Sequence, residues 1–170
     1  MKILIAYHTM TGNTEMVAKS IAEGLEGHDI VLKPASEVDP SNWSEYDMVF
    51  LGSGVYAGTV GKSIKKLVKA ATSLPKKFVL FSTHAISDSS IHIQAFRKVK
   101  KIIEKAESEV CAEFDCLGET KNISEELRLT QLEKLTPEKR KESERQWKRL
   151  KGHPNTKDLE KAKNFVKSLI

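Results

Sequence analysis

The chain has 170 residues, of which 39% are hydrophobic and 30% charged, and its formal net charge is +5. This composition argues against intrinsic disorder, and no stretch reaches the roughly 20 apolar residues of a membrane-spanning helix. The length predicts one domain, residues 1–170, and because the short apolar run at the start does not resemble a signal peptide, we expect a cytoplasmic protein.

Apolar runs alternate with helical patterns along most of the chain. The runs predict five strands, at residues 2–7, 29–32, 47–51, 77–81 and 109–114. Apolar residues at helical spacing predict helices over residues 13–26, 61–71, 91–106 and 158–169. This alternation indicates an α/β fold with a doubly wound, five-stranded parallel sheet in the order 2-1-3-4-5. In such a sheet, ligands bind at the carboxyl ends of the strands, beside the first and third.

A basic segment, residues 119–152, separates the fifth strand from the last helix, and we call it the insert. Its first 33 residues, 119–151, hold ten Lys or Arg against seven Asp or Glu. Ser124 and Thr136 are suited to start helices within it. Because the insert leaves the carboxyl end of a strand, we expect it to begin on the ligand side of the sheet. The chain has no aromatic-rich basic stripe of the kind that stacks bases, so we expect no nucleic-acid partner.

A threonine-rich segment, which we call the cradle, joins the first strand to the first helix and consists of Thr9, Met10, Thr11, Gly12, Asn13 and Thr14. The first N–H groups of a helix lack intrahelical partners and carry the positive end of its dipole, so they bind phosphate. Gly12 allows close approach of the backbone, and the threonine hydroxyls add donors. The cradle has no Lys or Arg, and the alternative is a capped turn without a ligand.

Other site classes lack their motifs. The sequence Gly61-Lys62-Ser63 resembles the end of a P-loop, but position 56 is Tyr where that motif needs glycine. A Gly-x-Gly-x-x-Gly after the first strand and a Gly-x-Ser-x-Gly nucleophile motif are both absent. The histidines and the two cysteines show no metal-ligand spacing, so we predict no metal site. We expect two buried thiols rather than a disulfide, because Cys111 and Cys116 point to opposite faces of one strand.

Three parts of the chain resemble flavodoxins: residues 2–25, residues 46–56, and the pair Phe114-x-Cys116-x-Gly118 and Gly152-His-Pro-Asn155. The resemblance covers nearly the whole chain apart from the body of the insert. It implies a flavodoxin-like fold with flavin mononucleotide (FMN) as cofactor, whose ring lies between two loops. The first ring loop, residues 53–60, contributes Ser53, Gly54, Val55, Tyr56, Ala57 and Gly58. The second, residues 83–90, contributes Thr83, His84, Ala85 and Asp88.

Individual residues of the ring loops carry expectations of their own. We expect Tyr56 to stack on the flavin, with capping of the core as its alternative role. Gly58 is the residue whose peptide we expect to reorient as the ring gains a proton. His84 either lies against the flavin edge, where its charge would stabilise reduced anionic flavin, or is a solvated loop histidine. Many flavodoxins have an aromatic residue in the second ring loop and an acidic surface, and this chain has neither.

These features predict a flavodoxin-like redox protein that transfers electrons through bound FMN. Whether it is an electron carrier or an enzyme stays open, because residues 46–69 and the basic insert also resemble quinone-linked protoporphyrinogen oxidases of the flavodoxin type. The expected partner is a redox protein or a small-molecule electron acceptor. The insert either contacts an acidic partner or a membrane surface, or packs against the domain. A homodimer is a further possibility.

Overall fold

The structure is a computed structural model that describes residues 1–86, 88 and 90–170. Within that part of the chain, the strands are β1 Lys2–His8, β2 Asp29–Pro34, β3 Met48–Tyr56, β4 Thr59–Val60, β5 Lys77–His84 and β6 Glu109–Leu117. The α-helices are α1 Asn13–Gly24, α2 Lys62–Ala70, α3 Ser90–Lys105, α4 Glu125–Glu133, α5 Pro137–Leu150 and α6 Thr156–Lys167. A 3-10 helix, Pro40–Glu45, precedes β3.

The sheet has the order β2-β1-β3-β5-β6, and neighbouring strands on this path are parallel. The five strands on the path are the five predicted ones, so the predicted order 2-1-3-4-5 and the α/β class are confirmed. The short β4 is an addition, and it pairs antiparallel with the end of β3.

Two apolar layers cover the sheet, one on each face. One contains Val17 and Ile21 of α1 together with Val166 of α6, and the other contains Ile64 of α2 and Phe96 of α3. Successive side chains of a strand point to opposite faces, so a strand covered on both sides is apolar throughout. This is why residues 3–6 of β1 are all buried with 0% exposure.

Three strands continue past their predicted ends at residues 51, 81 and 114. They end instead at Tyr56, His84 and Leu117, and polar residues fill the added length. These residues read as loop in the sequence, yet they pair: Ser53 lies opposite His8, and Gly54 opposite Thr83. The predicted first ring loop is therefore the end of β3 followed by a tight turn to β4.

That turn consists of Ala57 and Gly58, both with positive φ, at 47° and 74°. Two consecutive residues with positive φ are typical of the two-residue turns that join antiparallel strands. Because the turn is short and its flanking residues Tyr56 and Thr59 are paired, the end of β3 is held rigidly beside the carboxyl end of β1.

The insert forms α4 and α5, and their predicted starts are confirmed. The Ser124 side chain accepts a hydrogen bond from Leu127 N–H, and the Thr136 side chain accepts one from Lys139 N–H. The last helix begins two residues before its predicted start, because Asn155 caps it with its side chain. None of the helices within the described ranges is long and apolar enough to cross a membrane.

The expectation of two buried thiols is wrong for one cysteine. Cys116 is buried, and burial raises the pKa of its thiol, but Cys111 is exposed. Both lie on β6, which is the last strand of the sheet and is covered less completely than the central strands.

Gly52 offers a test of how closely the sheet is packed. A Cβ at this position would lie 2.0 Å from the Phe81 ring, which is fully buried and has no room to move. We predict that Gly52→Ala lowers the free energy of unfolding by about 1–3 kcal/mol in urea denaturation, as overpacking of a core does. The double variant Gly52→Ala/Phe81→Leu should lose less free energy of unfolding than the two single variants lose together. Strictly additive losses would contradict this account.

Candidate functional site

The carboxyl ends of four strands meet around a narrow cleft of about 130 Å³. The cleft is lined by residues that follow or end β1, β3, β5 and β6, namely Thr11, Asn13, Gly54, Val55, Tyr56, Thr83, His84, Ala85, Gly118, Glu119 and Thr120. Eight of these were predicted as site residues from the sequence. The cradle and both ring loops therefore contribute to one cleft, at the edge of the sheet where a ligand is expected.

The cradle leaves the first turn of α1 open. Gly12 is the N-cap of this helix, with φ of 84° and no side chain to cap the turn. A Cβ placed on Gly12 would have nothing within 4 Å, so the space beside it is free. The Gly12 N–H donates to Thr9 Oγ1 at 2.9 Å, which fixes the loop's shape. An uncapped helix start with free space in front of it is suited to an anion.

The side chains that follow Gly12 turn inward and connect the cradle to its neighbours. Thr14 Oγ1 lies 2.9 Å from Thr83 Oγ1, and both residues are buried, so this hydroxyl joins α1 to β5 instead of facing the open space. Asn13 Nδ2 donates to the carbonyl oxygen of Glu119 at 2.8 Å. Asn13 Oδ1 is buried and has no hydrogen-bond partner in the part of the chain that the structure describes.

Tyr56 lies across the cleft from the second ring loop and reaches the cradle. Its hydroxyl accepts a hydrogen bond from Met10 N–H at 3.0 Å. Its ring meets the His8 ring edge-on, with centroids 5.5 Å apart. His8 is held by Ser63 Oγ, 2.7 Å from its Nδ1, and burial lowers the pKa of the imidazole, so it is neutral near pH 7. His8 thus positions Tyr56, and the Tyr56 hydroxyl occupies one of the cradle's N–H groups.

His84 is a buried residue at the end of β5, which excludes the alternative of a solvated loop histidine. Its Nδ1 lies 2.5 Å from the carbonyl oxygen of Ile86, and its Nε2 lies 2.8 Å from Asp115 Oδ2. A carbonyl oxygen and a carboxylate both accept hydrogen bonds, so each ring nitrogen is placed to donate. The two acceptors hold the ring from both sides, and Asp115 is its carboxylate partner.

The other predicted site residues do not line the cleft; they are Thr9, Met10, Gly12, Thr14, Ser53, Ala57, Gly58 and Asp88. Ser53 is fully buried, where its hydroxyl accepts from Gly61 N–H and donates to the carbonyl oxygen of Gly54. Asp88 lines a separate cavity beside α5. Ser87 and Ser89 of the second ring loop lie outside the described residues.

Gly118, Glu119 and Thr120 line the cleft but were not predicted as site residues. One observation from the sequence could have identified them, namely that the insert leaves the carboxyl end of a strand and so begins on the ligand side of the sheet. Gly118 is required where it is, because a Cβ there would lie 2.8 Å from Asn13 Nδ2. The start of the insert therefore forms part of the cleft's wall.

A second polar chain runs between α3 and the sheet. His92 Nδ1 lies 2.7 Å from Ser82 Oγ, and His92 Nε2 lies 2.8 Å from Glu113 Oε2. Burial lowers the pKa of His92, opposed by the carboxylate. These residue types match a nucleophile, base and acid, but Ser82 has 0% exposure and is out of reach of a substrate. Among the residues that the structure describes, no group of three or more His, Cys, Asp or Glu could hold a metal ion.

Comparisons with known proteins agree with the fold. The family model described as "Flavodoxin domain" matches residues 4–167. The flavodoxin-like domain-containing protein BilS of Clostridioides difficile is 28% identical over 100% of this chain and 97% of its own length. An uncharacterized protein of Methanocaldococcus jannaschii is 30% identical over 100% of this chain and 99% of its own.

Solved flavodoxin structures share the fold at low identity. Oxidised Flavodoxin 1 from Bacillus cereus has a TM-score of 0.64 and 18% identity, covering 98% of this chain and 95% of its own. The flavodoxin of Streptococcus pneumonia TIGR4 has a TM-score of 0.65 and 16% identity, covering 99% of this chain and 97% of its own. The comparisons do not support the resemblance to protoporphyrinogen oxidases.

The buried Thr14–Thr83 pair gives a test of how the cradle is attached to the sheet. We predict that Thr14→Val lowers the free energy of unfolding by about 1–3 kcal/mol, because it leaves the Thr83 hydroxyl buried without its partner. Thr14→Val/Thr83→Val should recover most of this loss, since both hydroxyls are then removed. Urea denaturation of the unaltered protein, Thr14→Val, Thr83→Val and the double variant measures the coupling. A double variant whose loss of stability equals the sum of the two single losses would contradict the pairing.

Proposed function

This chain belongs to the flavodoxin domain family, and we propose that it binds FMN and transfers electrons through it. When bound, FMN supplies one- and two-electron chemistry, while the protein supplies orientation and electrostatics. The observation that carries the proposal is the open helix start at Gly12, whose neighbours Thr11 and Asn13 line the same cleft as Tyr56 and His84. An electron carrier needs no further catalytic residue, and none is proposed.

The donors at the cradle suit the phosphate of FMN. They are the backbone N–H groups that open α1 and the hydroxyls of the partly buried Thr9 and Thr11, with no cationic side chain among them. One acidic residue, Glu15, lies in the same turn, but Lys19 pairs with it at 2.7 Å and offsets its charge. The unpartnered Asn13 Oδ1 is an acceptor, and it suits a hydroxyl of the ribityl chain rather than the phosphate.

Tyr56 must move for the flavin to enter. The cleft of about 130 Å³ is smaller than the roughly 300–1,000 Å³ of ordinary ligand pockets. It is narrowed where the Tyr56 hydroxyl bonds to Met10 N–H. On binding, the phosphate competes for this N–H group, and the released Tyr56 ring becomes free to stack. The turn at Ala57 and Gly58 keeps the backbone of this wall in place.

His84 is the residue that can place a positive charge beside the ring, because a protonated imidazole would donate to both of its acceptors. Its ring lines the cleft and is paired with Asp115, which is itself partly exposed. A fixed positive charge beside the ring favours reduced, anionic flavin over the oxidised form. We therefore propose for His84 the role expected from the sequence, with Asp115 orienting its ring.

The insert gives the partner surface a charge that electron-carrier flavodoxins lack. Its excess of Lys and Arg supports an acidic redox protein as partner, and a membrane surface or a homodimer contact remains a prediction from the sequence. The same holds for the cytoplasmic location. The porphyrinogen-oxidising alternative is not favoured, so transfer of electrons to a partner is the activity proposed.

Gly12 tests the phosphate cradle against a matched control. We predict that Gly12→Ala weakens FMN binding by roughly tenfold or more, because the new side chain enters the space that the phosphate approaches. Binding of riboflavin, which has no phosphate, should change by less than about twofold. Fluorescence quenching of the two flavins measures both affinities.

The control is Gly27→Ala. Gly27 also has positive φ, at 96°, and open space around it, but it lies beyond the other end of α1. It carries the same backbone strain, so its flavin affinities should equal those of the unaltered protein. The proposed function fails if the unaltered protein binds no FMN, and the cradle's role fails if Gly12→Ala weakens both flavins equally.

His84 is tested through the midpoint potential of the FMN-loaded protein. We predict that His84→Gln lowers this potential by on the order of tens of millivolts, because a positive charge beside the ring is lost. His28→Gln is the matched control, since His28 precedes β2 at the opposite edge of the sheet. Spectroelectrochemical titration measures both variants. Equal midpoint potentials for the His84 variant and the unaltered protein would contradict the proposed electrostatic role of His84.

A further inference from the structure

A second cavity, of about 330 Å³, lies beneath the insert. Its apolar wall comes from α4, α5 and the segments beside them, with Ile123, Leu132, Leu135, Trp147 and Leu150 as its members. Leu132 and Leu150 are 5% exposed, yet neither belongs to the two apolar layers that cover the sheet. The insert thus has a small apolar cluster of its own, and this cluster forms one wall of a partly open cavity.

The cavity has one charged residue among those that line it in the described part of the chain, and this is Arg128 of α4. Its guanidinium lies 5.0 Å from the centre of the Trp147 ring. The nearest carboxylate, Glu125, is 3.9 Å away and 82% exposed, so it neutralises Arg128 only weakly. The remaining lining residues are uncharged: the apolar ones already named, Ala85, and the polar Thr120, Gln131, Ser143 and Gln146. A cation beside an aromatic face, in a wall without a carboxylate among its described residues, is suited to a flat molecule that carries one negative charge.

The cavity adjoins the cleft, because Ala85 and Thr120 line both. Its wall is also held to the second ring loop: Gln146 Nε2 of α5 donates to the carbonyl oxygen of Ala85 at 2.8 Å. The ends of the insert are fixed as well, since Glu119 N–H donates to the carbonyl oxygen of His153 and Glu119 Oε2 accepts from Gly152 N–H. The insert is therefore held at both of its ends, and α5 is held beside the cavity.

We propose that this cavity binds an aromatic carboxylate of one or two rings, with the carboxylate at Arg128 and the rings against Trp147 and the leucines. The volume lies at the lower end of ordinary ligand pockets, which suits a molecule of this size and is too small for a helix of a partner protein. The site does not require flavin. The proposed function enters in one respect only: if FMN binds in the cleft, a ligand in this cavity lies next to the flavin ring.

The test uses the full chain without FMN and calorimetric titration with 2-naphthoate and its neutral analogue, 2-naphthamide. We expect naphthoate to bind with one molecule per chain and more tightly than naphthamide. Arg128→Gln should weaken the binding of naphthoate by about tenfold or more, because the charged contact is removed. It should change the affinity for naphthamide by less than about twofold. Leu135→Glu, in the apolar wall, should weaken both.

Two control variants make the same chemical changes on the insert outside this cavity. Arg149→Gln removes one positive charge from α5, and Leu127→Glu adds a negative charge at an exposed leucine of α4. Neither should change naphthoate binding by more than about twofold. Absence of naphthoate binding, or equal weakening by Arg128→Gln and Arg149→Gln, overturns the proposal. FMN titration of the same variants is a separate measurement, so failure of this site is distinguishable from failure of the proposed function.

Discussion

The pairing of polar strand ends is the constraint on which the rest of this structure depends. Ser53, Thr83 and His84 pair with neighbouring strands, although the sequence predicts that these polar residues lie in loops. Because they are paired, the buried Thr14–Thr83 contact and the His84–Asp115 contact are set by strand register and not by flexible loops. The cleft is consequently a rigid edge of the sheet, which is how a scaffold fixes charge and hydrogen-bond donors in advance of a ligand.

Much of the fold could be predicted from the sequence, because buried parallel strands are apolar throughout and their helices are not. The strand ends could not, since a polar residue such as Ser82 or Thr83 reads as loop unless its partner is known. Gly52 lies just beyond the predicted end of the third strand, whereas in the structure it belongs to β3 and makes room for the Phe81 ring. Of the candidate site, the helix start at Gly12 followed from its motif and its place after the first strand, and the ring loops followed from the resemblance to flavodoxins. The wall from Gly118 to Thr120, the Tyr56–Met10 contact and the pairing of His84 with Asp115 depend on contacts far apart in the chain.

The two halves of the cleft have different physical roles. On the cradle side, helix N–H groups and hydroxyls lie where the phosphate is proposed to bind, and the Tyr56 hydroxyl occupies one of the N–H groups. On the side of β5, His84, paired with Asp115, lies beside the proposed position of the ring. The insert closes the far end, joined to it through Gln146 and Ala85. In the proposed function, binding strength and reduction potential therefore depend on different residues.

A crystal structure of the protein grown with FMN tests the central claim most directly. The account predicts that the phosphate lies against the first N–H groups of α1 beside Gly12, that the Tyr56 hydroxyl has left Met10 N–H, and that the ring lies between Tyr56 and His84. The account would be contradicted by a structure in which FMN is absent at saturating concentration, or in which it binds away from the carboxyl ends of β1, β3 and β5.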